Sequence, residues 1–588
     1  MITVRYSETD HACIISNISE ENWSDYQIHY SELSSFTKVS DGEIIVPWHL
    51  FVSGMIIFRY LIKKNRTKVD IDDTTRNLIK LAIDRKNQIM LNDSSRCIDE
   101  SEVQERLSRI GFRRTLKEHQ IRNVAKLSCY DFAATFSVPG AGKTTEAIAF
   151  YSLKKSNNTK LIVISPKSAF PAWEEQFIEC LGIGKISIAR LTGGRDNIAV
   201  QLDANLADVN LISYQQFILV VDLISKSLHQ YEYFMFLDES HRIKGGDNSK
   251  TGQAIQEISH LPVGKLIMSG TPMPNSVKDL LPQFSFLYPG VNNVDETNVS
   301  DFIKPVYVRT TKPELGLKPL NIQRTKIPFT EPQRVLYDLV RSEEYRRVKD
   351  LDKSDKFFLR KLGKSYMRLL QIASNPALLI NKNLGFSNEL RETIEFGDSA
   401  KIDYAIFKAR ELASRGEKVL IWSGFVDNVE LLASRLVDVG ARFIHGGVEA
   451  GSDEDFNTRE GIIKEFHESE DCMALVANPA ACSEGISLHK VCHHAIYLDR
   501  DYNAARYLQS QDRIHRLGLP ENVDTQIEIL YSPDSIDERV NARLNMKIER
   551  MASVLNDDSL NVEVEEVDIE DMGFSSTDAI DFINHLRS

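Results

Sequence analysis

Eight residues, SVPGAGKT at 137–144, carry the first recognisable chemistry of this 588-residue chain. They follow a short run of apolar and small residues (Phe132, Ala133, Ala134, Thr135, Phe136) and precede TEAIAF, which has helical character. A strand, a glycine loop, Lys-Thr and a helix together make a phosphate cradle. Gly140 and Gly142 let main-chain N–H groups turn inward, Lys143 can reach the β and γ oxygens of a nucleoside triphosphate, and the Thr144 hydroxyl can ligate Mg²⁺. Pro139, Ala141 and Thr145 belong to the same cradle, so ATP and Mg²⁺ are the expected ligands. Ser137 stands where the strict pattern has its first glycine. About ninety residues later, YFMFLDES at 233–240 is an apolar strand ending in two carboxylates. Asp238 would hold Mg²⁺ through water, and Glu239 would orient or deprotonate the attacking water.

Placing those groups takes a sheet. LIVISPKSAF (161–170), NLISYQQF (210–217) and KLIMSGTPMPN (265–275) are β-rich apolar runs, and each stops at small polar residues. Strand–helix alternation of this kind predicts the α/β class, a parallel sheet with helices on both faces and functional residues at the carboxyl ends of the strands.

Hydrophobic residues make up 42% and charged residues 26% of the chain, an ordinary globular balance. Its length suits about four domain-sized units. The opening MITVRYSETD lacks a basic stretch followed by an apolar run, and no segment approaches about 18 uninterrupted apolar residues, so neither a signal peptide nor a membrane span is expected. Seven cysteines are scattered without a CxxC pair, which predicts no zinc site, no disulfide framework and a reducing, cytoplasmic setting. The net charge of −13 is concentrated, because residues 557–588 hold ten acids and one arginine, leaving the rest at about −4. A local groove on such a body can still bind phosphates. Tyr345–Arg368, with nine Lys or Arg and three Asp, reads equally as a DNA contact surface and as a solvated helix face.

GAGKT, SPKS, DESH and SGTPMPN, in this order, resemble motifs I, Ia, II and III of superfamily-two helicases. KVLIWSGF (418–425), ALVANPAACSEGISLHKVCHHAIYLDRDYN (474–503) and QSQDRIHRLG (509–518) resemble motifs IV, V and VI, so the resemblance spans about residues 115–530. PVYVRTTKPELGLKP (305–319), MRLLQIASNPALL (367–379) and QSQDRIHR are similar to segments of the Swi/Snf-type ATPases, and DESH with SGTP resembles the compact fork-remodelling or annealing members. Tyr502-Asn503 stands where many members have Trp-Asn-Pro. The segment between the lobes is short and no chromatin-reader module is recognisable, which points away from nucleosome remodelling and toward a bacterial, archaeal or phage setting.

The resemblance implies two RecA-like parallel-sheet lobes with a helical insertion, ATP bound between the lobes, and ATP-driven translocation on double-stranded DNA with little sequence preference. It also carries roles onto particular residues. Gln120 would read the adenine. Arg513 and Arg516, three apart on what reads as a helix, would act as arginine fingers on the γ-phosphate, with Gly485 beside the nucleotide. Lys167, Ser213 and Tyr214 on the first lobe, and Ser423, Ser483 and Gly485 on the second, would grip nucleic-acid phosphates. Ser269, Gly270 and Thr271 would couple hydrolysis to lobe movement.

The expected domains are a small accessory α/β domain (1–105), the first lobe (106–300), a helical linker with protrusions (301–395), the second lobe (396–548), and an acidic tail with a short helix (549–588). The accessory domain has strand-like MITVRY, ACIIS, YQIHY and GEIIVPW, then helical HLFVSGMIIFRYLIKKN and TRNLIKLAID. It could bind DNA, bind a partner or buttress the first lobe. The acidic stretch 557–571 reads as an autoinhibitory segment or as a solubilising linker. The leading expectation is a DNA-dependent ATPase that translocates on duplex or forked DNA in genome defence, repair or protein displacement, with room for partners in a multi-subunit system. The alternatives are a helicase that separates or anneals DNA or RNA strands, and an ATP-gated scaffold subunit. No nuclease signature stands out.

Overall fold

The computed structural model describes residues 1–33, 37–40, 42–91, 97–291, 293–349, 358–380, 387–449, 451, 454–482, 486–519, 523–557 and 582–586. The chain divides into two units, Met1–Pro272 with Val277–Thr310, and Met273–Ser276 with Thr311–Ser588.

The first unit opens with a sheet of β1 (Ile2–Ser7), β2 (Ala12–Ser16), β3 (Lys38–Ser40), β4 (Glu43–Pro47) and β5 (Val69–Ile71), in the order β3-β4-β2-β1-β5. Alternation along β1 and β4 sends Ile2, Val4, Ile44 and Val46 into one core with Trp48, Phe51, Phe58 and Leu61. YQIHY, expected as a strand, instead lies in the helix Glu20–Leu33. Trp23, Tyr26 and Tyr30 recur at helical spacing, and burying the two tyrosines outweighs the β preference of the individual residues. The helical run after β4 is broken at Gly54 into Trp48–Ser53 and Met55–Lys64. This domain packs on the sheet that follows. The Tyr6 hydroxyl lies 2.6 Å from His260 Nε2, and Arg85 donates to the carbonyls of His260 at 3.0 Å and Pro262 at 3.3 Å. Against expectation, Cys97 and Cys129 form a disulfide. A pair 32 residues apart carries no spacing signal, and the packing of the two intervening helices, Glu100–Arg109 and Glu118–Ser128, brings it together.

The second sheet of this unit is wholly parallel. It comprises β6 (Phe132–Thr135), β7 (Lys160–Ser165), β8 (Ile188–Arg190), β9 (Val209–Ser213), β10 (Tyr233–Asp238), β11 (Gly264–Met268) and β12 (Tyr307–Val308), in the order β12-β6-β11-β10-β7-β9-β8. Its central strands are buried on both faces, which is why they read as continuous apolar runs rather than alternations. The carboxyl ends of β6, β11, β10, β7 and β9 therefore present GAGKT, SGTP, DESH, SPKS and Ser213-Tyr214 along one edge.

The second unit holds another parallel sheet, β13 (Asn321–Lys326), β14 (Lys418–Trp422), β15 (Arg442–Ile444), β16 (Ala474–Ala477), β17 (Cys492–Tyr497) and β18 (Gln526–Tyr531), in the order β13-β18-β17-β14-β16-β15. Helices Glu331–Lys349 and Phe358–Ser374 stand between β13 and β14. Segment 301–395 is thus not helical throughout, since β12 edges the first lobe's sheet and β13 edges the second. NIQRTK is largely exposed, so only edge hydrogen bonding, and no burial pattern, makes it a strand. Part of the basic segment is spent internally, because Arg347 and Arg368 both pair with the buried Glu344. The helix Ile536–Leu555 closes the unit, and residues 582–586 form a helical turn whose Phe582 ring meets Tyr366 edge-on at 6.0 Å. The acidic stretch beyond Asp557 lies outside the described residues. Among the described residues no helix is long and apolar enough to cross a membrane.

Candidate nucleotide site

The loop after β6 is built for close approach. Gly140 and Gly142 both take φ of +88°, which an L side chain rarely adopts. Gly142 caps the helix Lys143–Lys154, whose first-turn amides have no intrahelical acceptor and point into the loop. A Cβ on Gly142 would stand 2.2 Å from Gln120 Nε2. Gln120 is held there by its own bonds. Its Oε1 accepts from the Lys117 amide at 3.0 Å, and its Nε2 donates to the Ala141 carbonyl at 3.4 Å. Lys143 lies back across the loop, donating to the Ser137 carbonyl at 2.9 Å. Thr145 points away and donates to Gln176 at 2.9 Å.

Behind the loop sits a polar network that the sequence reading missed. Glu146 is fully buried, accepting from Asn123 at 2.9 Å and from Thr135 at 3.2 Å, while Asn123 also donates to Thr310 at 2.9 Å. Burial pushes its carboxyl up to about 7, against the pull of Asn123, Thr135 and Lys143. The one sequence signal was a carboxylate inside the otherwise apolar run EAIAF. The network fixes the Ser137 end of the loop, since Thr310 N donates to Ser137 Oγ at 3.0 Å.

Asp238 ends β10 and is aimed by two donors, Trp173 Nε1 and the Glu239 amide, each at 3.0 Å. Burial and the neighbouring Glu239 charge raise its carboxyl above its usual range. Burial also opposes ionisation of Glu239, but the His241 ring 3.4 Å away and the charges of Lys143 and Arg242 outweigh it and keep that carboxyl low. Of this adjacent pair, Glu239 is therefore the one that ionises first as pH rises. Glu239 sits at φ +52°, a costly place for a side chain of that size, and the His241 ring is the polar group nearest its buried Oε2 among the described residues. Asp238 and the half-buried Thr144 hydroxyl make an all-oxygen donor set that suits Mg²⁺. Among the described residues no cluster of three His, Cys, Asp or Glu could hold a metal by itself.

The end of β11 is joined to both motifs. Ser269 Oγ lies 3.1 Å from His241 Nδ1 and accepts from the Thr271 amide at 3.2 Å. A Cβ on Gly270 would meet Pro139 of the loop at 2.9 Å, so glycine is needed for the two segments to touch. Thr271 Oγ1 is buried without a hydrogen-bond partner among the described residues.

The residues proposed as phosphate grips separate into different kinds. Lys167 is exposed. Ser213 caps the following helix, accepting from Gln216 N at 3.2 Å. Tyr214 is buried and donates its hydroxyl to the Asp238 carbonyl at 2.8 Å, so it braces the acid pair and presents no hydroxyl to a strand. Ser423 is fully buried and donates to Asp499 at 2.6 Å, and it too is corrected from a grip to a brace. Both end strands whose ends are covered, which periodicity does not reveal. Ser483 and Gly485 lie outside the described residues.

Arg513 and Arg516 do not share a helix. The helix Ala504–Gln511 stops before them, and they fall in the turn beyond. Arg513 is buried, and its guanidinium donates to the carbonyls of Gln509 at 2.9 Å and Ile486 at 2.8 Å. Arg516 is half-buried, with burial drawing its guanidinium below the usual range. Lys312, from the Arg-Thr-Lys segment, pairs with Asp512 of this box at 2.6 Å, a link not foreseen from the sequence.

A parallel sheet with a phosphate loop and acid pair at its strand ends, followed by a second parallel sheet carrying an arginine box, defines a helicase of superfamily two. Residues 137–302 match the SNF2-related domain, and residues 401–518 match the helicase conserved C-terminal domain. The first of these matches is to the Swi/Snf-type branch of that superfamily. It is 23% identical over 474 residues to the human SWI/SNF-related matrix-associated actin-dependent regulator of chromatin subfamily A member 1, covering 75% of this chain and 43% of that protein. It is 24% identical over 559 residues to an uncharacterized ATP-dependent helicase of Mycoplasma pneumoniae, covering 89% of this chain and 49% of the other. The chain thus spans about half the length of these relatives or less. Among solved structures it is similar to the Sulfolobus solfataricus SWI2/SNF2 ATPase core in complex with dsDNA, with a TM-score of 0.33, 19% identity, and coverage of 78% of this chain and 98% of that one.

Proposed function

We propose that this protein is a cytoplasmic, DNA-dependent ATPase that uses ATP hydrolysis to translocate along double-stranded DNA. The observation that carries the reading is the chain Glu239–His241–Ser269, at 3.4 and 3.1 Å, which joins a water-activating carboxylate to the end of the neighbouring strand. A nucleotide-gated scaffold has no use for an ionised Glu239 tied to a second motif. Lys143, the loop amides and Gln120 hold the triphosphate and base. Glu239 takes the proton of the attacking water, and Mg²⁺ on Asp238 and Thr144 would neutralise phosphate charge. Arg516, whose guanidinium donates to no backbone carbonyl among the described residues, would supply positive charge to the transferring phosphoryl group, while Arg513 positions the turn that carries it. Phosphate contacts are independent of base sequence, so little sequence preference is expected.

The test is steady-state ATP hydrolysis with no nucleic acid, duplex DNA, forked DNA, single-stranded DNA and RNA, with Lys143→Ala and Glu239→Gln as controls. Strong stimulation by duplex or forked DNA, lost in both variants, supports the translocase and leads to a triplex-displacement assay. Stimulation by single strands or RNA alone would replace it with a strand-separating helicase. No stimulation by any of them, in the full chain and in one lacking 557–588, would leave the scaffold.

A further inference from the structure

The motor reading leaves the N-terminal sheet with no task beyond packing on the first lobe, yet one of its helices presents an unusual outer face. Between Glu43 and Asp70 the chain has no acid and five cations, Arg59, Lys63, Lys64, Arg66 and Lys68, in a protein of net charge −13. They lie on the helix Met55–Lys64 and the turn that leads into β5. Cations in the last helical turn answer the helix dipole, which accounts for Lys63 and Lys64, and Lys64 also pairs with Asp25 at 2.7 Å. Neither reason covers Arg59, Arg66 or Lys68. Arg59, Lys63, Arg66 and Lys68 are all exposed, and none forms an ion pair among the described residues. The same face exposes Ile56 at 59% and Tyr60 at 62%. Spacings of three and four put Ile56, Arg59, Tyr60 and Lys63 side by side, while Phe58 and Leu61 seal the opposite face into the core. An uncovered ring flanked by unpaired cations is complementary to a strand that offers both phosphates and an open base.

Resting on the proposed DNA motor, we infer that this helix face holds an unpaired nucleic-acid strand, with Tyr60 stacked on a base and Arg59, Lys63, Arg66 and Lys68 on the phosphates. A duplex keeps its bases stacked on one another, so it would use the cations and leave the ring bare. The consequence is a motor that distinguishes DNA with a single-stranded arm from blunt duplex.

Binding of the full-length protein to blunt duplex, and to the same duplex with an oligothymidine arm, decides this by fluorescence anisotropy across a salt series. The arm is expected to raise affinity at least five-fold. The triple variant Arg59→Ala, Tyr60→Ala, Lys63→Ala should lose that gain, the armed and blunt duplexes then binding alike, while keeping melting temperature and basal ATP hydrolysis. Tyr60→Phe should retain it. The salt dependence of the armed complex should weaken by up to about 0.7 in log–log slope for each cation removed. The inference is overturned if the arm adds nothing, or if the triple variant keeps the gain. It is also overturned if deleting 557–588 strengthens duplex binding in wild type but not in the variant, which would give the face to the chain's own acidic segment. Stimulation by duplex without any effect of the arm sinks this inference alone. No binding and no stimulation by any DNA sinks the motor reading with it.

Discussion

The Nδ1 of His241 lies 3.1 Å from the hydroxyl of Ser269, joining the end of β10 to the end of β11. The same Nδ1 lies 3.4 Å from Glu239 Oε2, so Ser269 and the carboxylate share one imidazole nitrogen, and a shift at Ser269 changes what that nitrogen offers Glu239. Ser269→Ala removes that link and leaves every group that touches ATP in place. A neutral hydrogen bond is worth about 1 kcal/mol, or about five-fold in rate. Hydrolysis without DNA should therefore change by less than about five-fold, while the ratio of DNA-stimulated to unstimulated kcat falls by more. An unchanged ratio would show that these two strand ends are not coupled.

Gly142→Ala should weaken ATP binding at least ten-fold, for two separable reasons. The left-handed backbone costs about 1–2 kcal/mol with any side chain, and the new methyl would stand 2.2 Å from Gln120 Nε2. Adding Gln120→Ala relieves the clash but not the backbone strain, and it deletes the adenine contact. Titration with a fluorescent ATP analogue across the four proteins should thus show non-additivity, the double variant binding better than the product of the single losses. Simple additivity would mean that Gln120 does not pack on the loop.

Which parts were readable from residues alone follows from how each part is determined. The lobes were legible because β6, β10 and β11 are buried on both faces and so spell themselves as apolar runs, and because GAGKT and DESH need particular residue types at fixed places. YQIHY misled because its alternation suits a strand, whereas the longer 3.6-residue pattern through Trp23, Tyr26 and Tyr30 belongs to a helix. The resemblance suggested Tyr214 and Ser423 as grips, but whether a hydroxyl faces outward depends on partners distant in sequence, here Asp238 and Asp499. The Glu146 network and the Cys97–Cys129 bond are likewise tertiary facts with no local spacing to announce them.

The two arginines of the QSQDRIHR box should separate by phenotype. Arg516→Ala should lower kcat about a thousand-fold, in the range for a lost arginine finger, with little change in melting temperature. Arg513→Ala strands the carbonyls of Gln509 and Ile486, which costs about 1–3 kcal/mol and loosens the turn. It should lower the melting temperature as well as the rate. Thermal melts beside kcat settle the assignment, and the reverse pattern would make Arg513 the finger.

Acid should loosen the packing of the N-terminal domain on the first lobe through the histidines buried where they meet. His11 lies 5.7 Å from His229, ring to ring, and the Tyr6 hydroxyl lies 3.4 Å from His11 and 2.6 Å from His260. Burial first, then the His229 charge, depress His11 to about 4, and His260 is depressed by burial and by His11. The Glu257 carboxylate 4.0 Å from His11 is too exposed to offset this. The folded state therefore keeps both rings neutral, while the unfolded chain takes up protons near 6.5. For His11 the stabilisation is complete above 6.5 and is lost as pH falls toward 4, at about 1.4 kcal/mol per unit. Between pH 6.5 and 5 His11 alone should remove about 2 kcal/mol. The melting temperature of the first unit should fall over that interval, and by less in His11→Asn. Parallel pH profiles for the two proteins would show that His11 is not held neutral.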